Sequence, residues 1–194
     1  MTASVDSWIA GAGDRCLQLG HQALGKALKA HARAEAGHDQ MMIADAHAIA
    51  AKLYQDFAIP IDVGNLLASP PLASAQAYAA LHERVISGHT PQAQLAIEYE
   101  IEQLSITIGP PVVKKCREVF GSDTRFYSFL AEHVELDAGH TAFNRKQLQY
   151  LLSESPEALA SMTDAGRAAL SLYTDFVAEC LRLAHADLRT GDPA

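Results

Sequence analysis

The side chains best suited to chemistry lie in an H-x-x-x-D-x-x-H pattern formed by His133, Asp137 and His140. Successive residues of an α-helix turn by about 100°, so a helix would bring these three side chains into a stripe about 60° wide. Phe129 and Leu130 fall in the same stripe, which predicts that it faces the protein core. Two imidazoles and a carboxylate are costly to bury without partners, and one metal ion would compensate all three. A hydrogen-bonded polar cluster and a solvated face remain the alternatives for this motif alone.

A second candidate group lies earlier in the chain, where Glu35 and His38 are three positions apart. This spacing lets both side chains reach one ion from adjacent helical turns, as Glu-x-x-His pairs do in di-iron bundles. His31 falls on the same side and is an alternative to the assigned ligands. Asp45 lies further along that side, where it could orient His38 or form a salt bridge within the helix.

A third group is a run of alternating carboxylates, of which Glu102 is the best candidate ligand. Glu102 shares a helical face with Leu95 and Ile106, and this apolar face predicts that its carboxylate points inward. Glu98 lies one turn earlier, near the same face, and is the alternative ligand from this helix. A surface carboxylate is the other interpretation of Glu102.

The three groups together offer three histidines and three carboxylates, and this mixture indicates which metals could bind. The predicted metal ligands are Glu35, His38, Glu102, His133, Asp137 and His140. Six ligands exceed the four of a structural zinc site, and an oxygen-rich set with histidines is typical of two ferrous ions, with manganese as the alternative metal. Such a pair with open positions would react with dioxygen beside a bound substrate. The sequence therefore predicts an oxygen-dependent redox enzyme.

These residues need long helices to position them, and the sequence predicts an all-α fold. Ala, Leu, Glu, Gln and Lys dominate stretches with helical period, and no convincing alternating strand occurs. The predicted helices, of which the first two are separate or continuous, cover about residues 14–33, 34–57, 74–87, 91–109, 111–120, 124–152 and 156–189. A loop is predicted over 60–73. Gly109, Pro110 and Pro111 are expected to end one helix, because proline lacks an amide hydrogen and clashes with the preceding turn.

Length and composition limit the class of protein. The chain has 194 residues, 49% of them hydrophobic, which predicts one domain over 1–194. No apolar run reaches the roughly 18 to 20 residues of a membrane span, and the start lacks a secretory signal, so we expect a soluble cytoplasmic protein. The formal charge of −8 leaves no basic surface for nucleic acid. Cys16, Cys116 and Cys180 are widely spaced, as expected for thiols in a reducing compartment.

The candidate ligands resemble those of a known family, the haem-oxygenase-like di-iron oxidases and oxygenases, which are iron-containing redox enzymes that bind no haem. The resemblance lies in residues 35–39, 99–102 and 133–140, and it covers roughly residues 30–150. It implies a seven-helix haem-oxygenase-like bundle, in agreement with the number of predicted helices.

The resemblance also implies how the ligands divide between two irons. One iron would be held by Glu35, His38 and His133 and the other by Asp137 and His140, with Glu102 between the two. Members of that family oxidise amino acids, fatty acids and related compounds, so the expected partners are a small-molecule substrate and dioxygen. Few residues precede Glu35, where many relatives carry additional helices, so we expect part of the usual pocket wall to be absent or to come from a second subunit of a homodimer.

Two other functions fit parts of the sequence. The first is a metal-free enzyme of the same fold, similar to the thiaminase-like TenA group or to the quinone-cofactor synthase group; a TenA-like site needs a cysteine facing the pocket. The second is a non-enzymatic helical ligand-binding domain in which the inward polar residues hydrogen-bond one another. A true haem oxygenase would need a proximal histidine on the first helix, such as His21, and would leave the candidate metal ligands unexplained. Metal analysis distinguishes these functions.

Overall fold

The chain folds into helices joined by short connections. The computed structural model describes residues 4–190, with side chains for residues 4–185. Within this part of the chain no strand is present, and the α-helices are α1 (Val5–Gln18), α2 (Gln22–Glu35), α3 (His38–Phe57), α4 (Val63–Ala68), α5 (Ala73–Ser87), α6 (Gln94–Phe120), α7 (Ser128–Glu154) and α8 (Leu159–Thr190). Helix α4 has six residues, whereas the seven others have 14 or more. The predicted all-α fold with seven principal helices is confirmed. Among the described residues, none of these helices combines the length and apolar character needed to cross a membrane.

The first break in the helical pattern lies at residues 19–21. The sequence predicted one helix over 14–33, but α1 ends at Gln18 and α2 begins at Gln22. Gly20 has a φ of +90° at this break, a left-handed conformation that glycine adopts without the steric penalty of a Cβ. The prediction of one helix was therefore wrong, and the break allows α2 to pack against α1.

Helix α6 continues through Pro110 and Pro111, so the prediction of a separate helix over 111–120 was also wrong. Both prolines are exposed. Each proline lacks the N–H that would bond to the carbonyl four residues earlier, and that carbonyl lies on nearly the same helical face as the proline. The two missing hydrogen bonds therefore lie on the solvent side of α6. Gly109 is buried against Val134 of α7, and a Cβ there would clash with the valine side chain. Its role is close helix packing rather than helix termination.

The predicted loop over 60–73 contains the short helix α4. Asp62 caps this helix by accepting a hydrogen bond from the backbone N–H of Asn65 at 3.0 Å. At the start of α5, Ser74 donates hydrogen bonds from its backbone N–H and its hydroxyl to the Glu179 carboxylate of α8. Side-chain caps thus fix both helices that follow the end of α3.

Two apolar clusters hold the helices together. The first joins α1, α2, α6, α7 and α8 through residues that include Ile9, Cys16, Leu28, Leu95, Leu151 and Met162. The second joins α5, α6 and α8 through residues that include Tyr78, Leu81, Ile97, Ala165 and Ala169. Helices α2, α6 and α7 belong to the first cluster and also carry candidate ligands. Packing in this cluster therefore sets the spacing among three of the four helices that carry candidate ligands.

Candidate metal centre

The junction between α2 and α3 places Glu35 and His38 next to each other. Glu35 is the last residue of α2, and His38 is the first residue of α3. Gly37, between them, has a φ of +89°, so the chain changes direction there. As a result, His38 Nδ1 lies 3.1 Å from Glu35 Oε2. The predicted i, i+3 pair forms across a turn rather than within one helix.

Four side chains from three helices converge in a set that we call the inner group. Its members are His31 and Glu35 of α2, Glu102 of α6 and His140 of α7. His31 Nε2 lies 3.4 Å from Glu35 Oε1 and 3.1 Å from Glu102 Oε1. His140 Nδ1 lies 2.9 Å from Glu35 Oε1 and 3.9 Å from Glu102 Oε1. One donor atom of each residue can therefore reach a common point.

A second set, which we call the outer group, consists of Glu35, His38 and His133. His38 Nδ1 and His133 Nε2 lie 3.1 Å and 3.9 Å from Glu35 Oε2, and the two rings meet edge to face with centroids 4.8 Å apart. The inner and outer groups share Glu35, whose Oε1 faces the inner group and whose Oε2 faces the outer group. A carboxylate placed in this way is suited to bridge two metal ions.

The structure divides the candidate ligands differently from the division that the resemblance implied. Asp137 lies outside both groups; it is buried, and its Oδ1 is 3.4 Å from His140 Nδ1. Glu102 belongs to the inner group alone, so the residue between the two groups is Glu35. His31, an alternative at the level of sequence, is a member of the inner group.

Two hydrogen bonds orient candidate ligands from behind. Asn144 is fully buried and donates Nδ2–H to Glu102 Oε2 at 2.7 Å, so that Glu102 Oε1 is directed at the inner group. His133 Nδ1 lies 2.7 Å from the carbonyl oxygen of Phe129 and can donate to it, which leaves Nε2 for the outer group. Metal-bound histidines commonly donate their second N–H in this way, because the bond fixes the tautomer and the ring orientation.

Charge in the inner group is shared between two histidines and their carboxylate neighbours. Burial lowers the pKa of His31, but the Glu102 and Glu35 carboxylates outweigh burial and raise this pKa to about 9. The adjacent Asp137 and Glu35 carboxylates raise the pKa of His140 to about 10. Burial raises the pKa of Glu35, yet His140 and His31 together hold it well below its usual range. Without metal, these carboxylates favour the protonated form of both histidines, and a metal ion would compete with those protons.

The inner group contains nitrogen atoms that its protein neighbours do not satisfy. Among the described residues, His31 Nδ1, His31 Nε2 and His140 Nδ1 are buried without a hydrogen-bond partner of suitable geometry. Ligand atoms about 2.0 to 2.2 Å from one ion are about 3 Å apart when adjacent and about 4.3 Å apart when opposite. The nitrogen-to-oxygen distances in the inner group run from 2.9 to 3.9 Å. The residues therefore fit a bound metal ion.

Three of the candidate ligands are partly exposed to solvent. The side chains of His38 and His140 are 18% exposed and that of His133 is 13% exposed. On α7, Asp137 is buried as predicted, but Phe129 and Leu130 of the same stripe are only partly buried. The stripe predicted to face the core therefore lies at the edge of the core.

Glu98, the sequence alternative to Glu102, belongs to a separate buried network. Its Oε1 accepts a hydrogen bond from Gln94 Nε2, and Gln94 also contacts His82 Nδ1 of α5 at 2.8 Å. Burial and the nearby Glu102 carboxylate raise the pKa of Glu98 to about 8. Gln94 and His82 were not predicted from the sequence, although Gln94, Glu98 and Glu102 at every fourth position of α6 were a signal of a buried polar stripe.

No cysteine among the described residues is a member of either group. Burial raises the pKa of Cys16 to about 11 and also raises the pKa of Cys116. A raised pKa lowers the fraction of thiolate, which is the nucleophilic form. Cys180 is partly buried on α8. Neither Cys16 nor Cys116 thus has the environment of the reactive thiol that a TenA-like enzyme would use.

Comparison with known proteins assigns the chain to a family. A family model described as an iron-containing redox enzyme matches residues 31–174, a range that includes every member of the inner and outer groups. The chain belongs to the iron-containing redox enzyme family. The resemblance found in the sequence is thereby confirmed, and the family description supports an oxidoreductase in general. No curated protein matches the sequence.

A solved structure shows the same fold as this member of the iron-containing redox enzyme family. It is the crystal structure of a domain of unknown function with a haem-oxygenase-like fold from Shewanella denitrificans, which is 20% identical, with a TM-score of 0.81. The similarity covers 100% of this chain and 77% of that chain. At this identity the likeness concerns the fold alone. The predicted haem-oxygenase-like bundle is confirmed.

Proposed function

We propose that this iron-containing redox enzyme uses two ferrous ions and dioxygen to oxidise a small molecule, such as an amino acid or a fatty acid. The observation that carries the proposal is the Glu35 carboxylate, which directs one oxygen at each group of candidate ligands. The inner ion would be held by His31, Glu35, Glu102 and His140, and the outer ion by Glu35, His38 and His133. Asp137, beside His140, would orient that histidine or bind the inner ion.

The kind of ligand favours iron. Mixed imidazole and carboxylate ligands without thiolate suit ferrous iron and manganese, whereas structural zinc sites usually contain cysteine and four closed positions. Three side chains form the outer group, which leaves positions for dioxygen or substrate. The family description names iron independently of this chemistry.

The chain's own residues would bind the metals, orient their ligands and control access. When bound, ferrous iron supplies the electrons that reduce dioxygen. Glu35 and Glu102 are only 9% and 8% exposed, so their carboxylates attract cations more strongly than surface carboxylates do. The side chains of His38, His133 and His140 are 13% to 18% exposed, so substrate would approach the site past these three rings.

We also propose that the enzyme is a cytoplasmic homodimer. Unpaired cysteines support a reducing compartment. Large apolar side chains are exposed near the end of α3 and on α4, as is common at subunit interfaces: Tyr54, Phe57, Leu66 and Leu67. Light scattering on the purified protein tests the dimer, and a monomer at micromolar concentration would contradict it.

Anaerobic titration of metal-free, tag-free protein with Fe(II), followed by admission of dioxygen, tests the metal chemistry. We expect close to two equivalents of Fe(II) to bind and dioxygen to be consumed. Glu35→Ala should lose both equivalents because both groups share this carboxylate, whereas Glu135→Ala, at an exposed position of α7, should keep both. If the wild type bound no Fe(II), Mn(II) or Zn(II) at micromolar concentration, the proposal would fail. A metal-free enzyme or a helical ligand-binding domain would then be favoured.

A further inference from the structure

Asp45 connects α3 to the start of α7. Its Oδ1 accepts a hydrogen bond from the Ser128 hydroxyl at 2.6 Å, and its Oδ2 accepts one from the backbone N–H of Phe129 at 3.0 Å. The side chain is buried, with 7% of the residue exposed. The sequence suggested that Asp45 orients His38 or forms a salt bridge within its own helix. Its hydrogen bonds instead join it to another helix, 83 and 84 residues further along the chain.

These contacts replace a cap that α7 lacks. Tyr127 precedes the first residue of α7, and its side chain makes no capping hydrogen bond. The first N–H groups of a helix have no partner within the helix, and a carboxylate is favourable there because of the helix dipole. Asp45 supplies both the acceptor and the negative charge from α3. The start of α7 is therefore held in place by a different helix.

Phe129 extends the connection to a candidate ligand. Its carbonyl oxygen lies 2.7 Å from His133 Nδ1, and its ring lies against the His133 ring with centroids 3.9 Å apart. Asp45 thus fixes the backbone of Phe129, and Phe129 fixes the orientation of His133. On the other side, His38 lies on α3 with Asp45.

We propose that Asp45 is a positioning residue for the outer group. By capping α7 from α3, it holds His38 and His133 at the separation from which both reach the same oxygen of Glu35. This inference rests on the proposed function because the outer group would hold one of the two ions. The inner group draws its side chains from α2, α6 and a later part of α7. Loss of the Asp45 contacts should therefore weaken binding of the outer ion and leave binding of the inner ion unchanged.

The test is anaerobic titration of metal-free protein with Fe(II), resolved into its two equivalents. In Asp45→Ala we expect one equivalent, assigned to the outer group, to bind about 10- to 100-fold less tightly than in wild type, the usual effect of losing a residue that orients a metal ligand. The other equivalent should stay within about three-fold of wild type. If Asp45→Ala does not fold, Asp45→Glu serves instead, because it keeps the charge but shifts the acceptor oxygens by one methylene. It should show the same selective loss.

Three control variants separate geometry from charge and from general stability. In Asp45→Asn, the amide oxygen can accept from Phe129 N–H and the amide nitrogen can donate to Ser128 Oγ, so both equivalents should remain within about three-fold of wild type. Ser128→Ala removes one of the two hydrogen bonds and should also retain both equivalents. Asp62→Ala removes an aspartate cap from α4 and should leave Fe(II) binding unchanged.

A second measurement needs no metal. In the nitrogen NMR spectrum of the imidazole rings of metal-free protein, we expect His133 to carry its proton on Nδ1 in wild type and in Asp45→Asn. In Asp45→Ala we expect a mixture of the two tautomers. The inference is overturned if Asp45→Ala keeps both Fe(II) equivalents, loses both alike, or keeps the His133 tautomer. It is also overturned if Asp45→Asn binds Fe(II) as weakly as Asp45→Ala does. A wild type that binds no Fe(II) would instead count against the proposed function, and the nitrogen spectrum would still test the Asp45 contact.

Discussion

Glu35 is the residue on which the two groups depend. It was predictable as a candidate, because its spacing from His38 is a local feature of the sequence. Its place between the two groups was not predictable, since this depends on where α6 and α7 bring Glu102 and His140. The same reason left His31 as an alternative ligand. Local periodicity shows which side of a helix carries a ligand, but only tertiary packing decides which helices share an ion.

Replacing His140 or Asp137 by alanine should separate metal binding from folding. We expect both variants to lose most of the rise in unfolding midpoint that Fe(II) gives the wild type. Without metal, Asp137→Ala should change stability little, because the carboxylate is costly to bury but also stabilises the protonated His140 ring. His140→Ala should lose about 1 to 3 kcal/mol, since it leaves Glu35 with fewer partners.

Thermal unfolding with and without Fe(II) under anaerobic conditions measures both effects. His47→Ala, at an exposed position of α3, is the matched control and should respond to Fe(II) as wild type does. Identical midpoints with and without Fe(II) in the wild type, together with large losses in both variants, would indicate a hydrogen-bonded network instead of a metal site.

His82 should make the protein sensitive to acid. Burial lowers the pKa of His82 from 6.5 to about 4 despite its contact with Gln94. Below about pH 6.5 the unfolded chain therefore binds a proton that the native state does not. Stability should fall as the pH drops from about 6.5 to about 4, by up to about 3 kcal/mol from this residue. The free energy of unfolding of His82→Gln, measured across this range, should fall less steeply than that of wild type.

The matched control for His82 is His89→Gln, which replaces an exposed histidine near the same end of α5. Its stability should follow the wild-type dependence on pH. Parallel curves for wild type and His82→Gln would show that the buried ring does not carry the effect.

At the scale of elements, the ends of helices were harder to predict than the helices themselves. Pro110 and Pro111 suggested a helix end, but their exposure and the packing of Gly109 against Val134 keep α6 continuous. The junction after Glu35 shows the opposite error. The spacing of Glu35 and His38 predicted that both lie on the same face of one helix, whereas a new helix begins at His38 in the structure. Both errors arise because solvent exposure and contacts with distant helices decide whether a helix continues.

Gly37→Ala tests whether this junction positions the ligands. The φ of Gly37 is +89°, and a Cβ there would meet no atom within 4 Å, so the substitution costs only the strain of a left-handed alanine, about 1 to 2 kcal/mol. Relief of that strain should shift His38 relative to Glu35 and weaken the outer Fe(II) equivalent by about ten-fold or more. Isothermal titration measures the affinity for Fe(II), and thermal unfolding measures the loss of stability.

The chain offers a close control for this substitution. Gly20 has a φ of +90° and equally open surroundings, but it joins α1 to α2. Gly20→Ala should lose a similar stability and keep both Fe(II) equivalents. Equal loss of Fe(II) binding in the two variants would mean that the junction has no specific role.

At the scale of the whole molecule, the candidate site is held by only part of the bundle. Side chains from α2, α3, α6 and α7 form the two groups, whereas α5 and α8 pack through the second apolar cluster. In the absence of metal, burying so many ionisable groups opposes close packing of the four helices. Bound metal should therefore stabilise these helices more than the others.

Hydrogen exchange with and without Fe(II) tests this expectation across the chain. At a metal concentration about 100 times the dissociation constant, linkage stabilises the native state by about 2.7 kcal/mol, which corresponds to roughly 5 to 11 °C in unfolding midpoint for a domain of this size. Local opening near the site should slow most, so protection should increase at the end of α2, the start of α3, the middle of α6 and the first half of α7. Hydrogen exchange through local opening should change least in helix α5, because it supplies no member of either group.

Mg(II), which prefers oxygen ligands and retains its waters, is the control and should leave hydrogen exchange unchanged. Protection spread evenly over all helices, or equal effects of Mg(II) and Fe(II), would argue against an ion bound between these four helices.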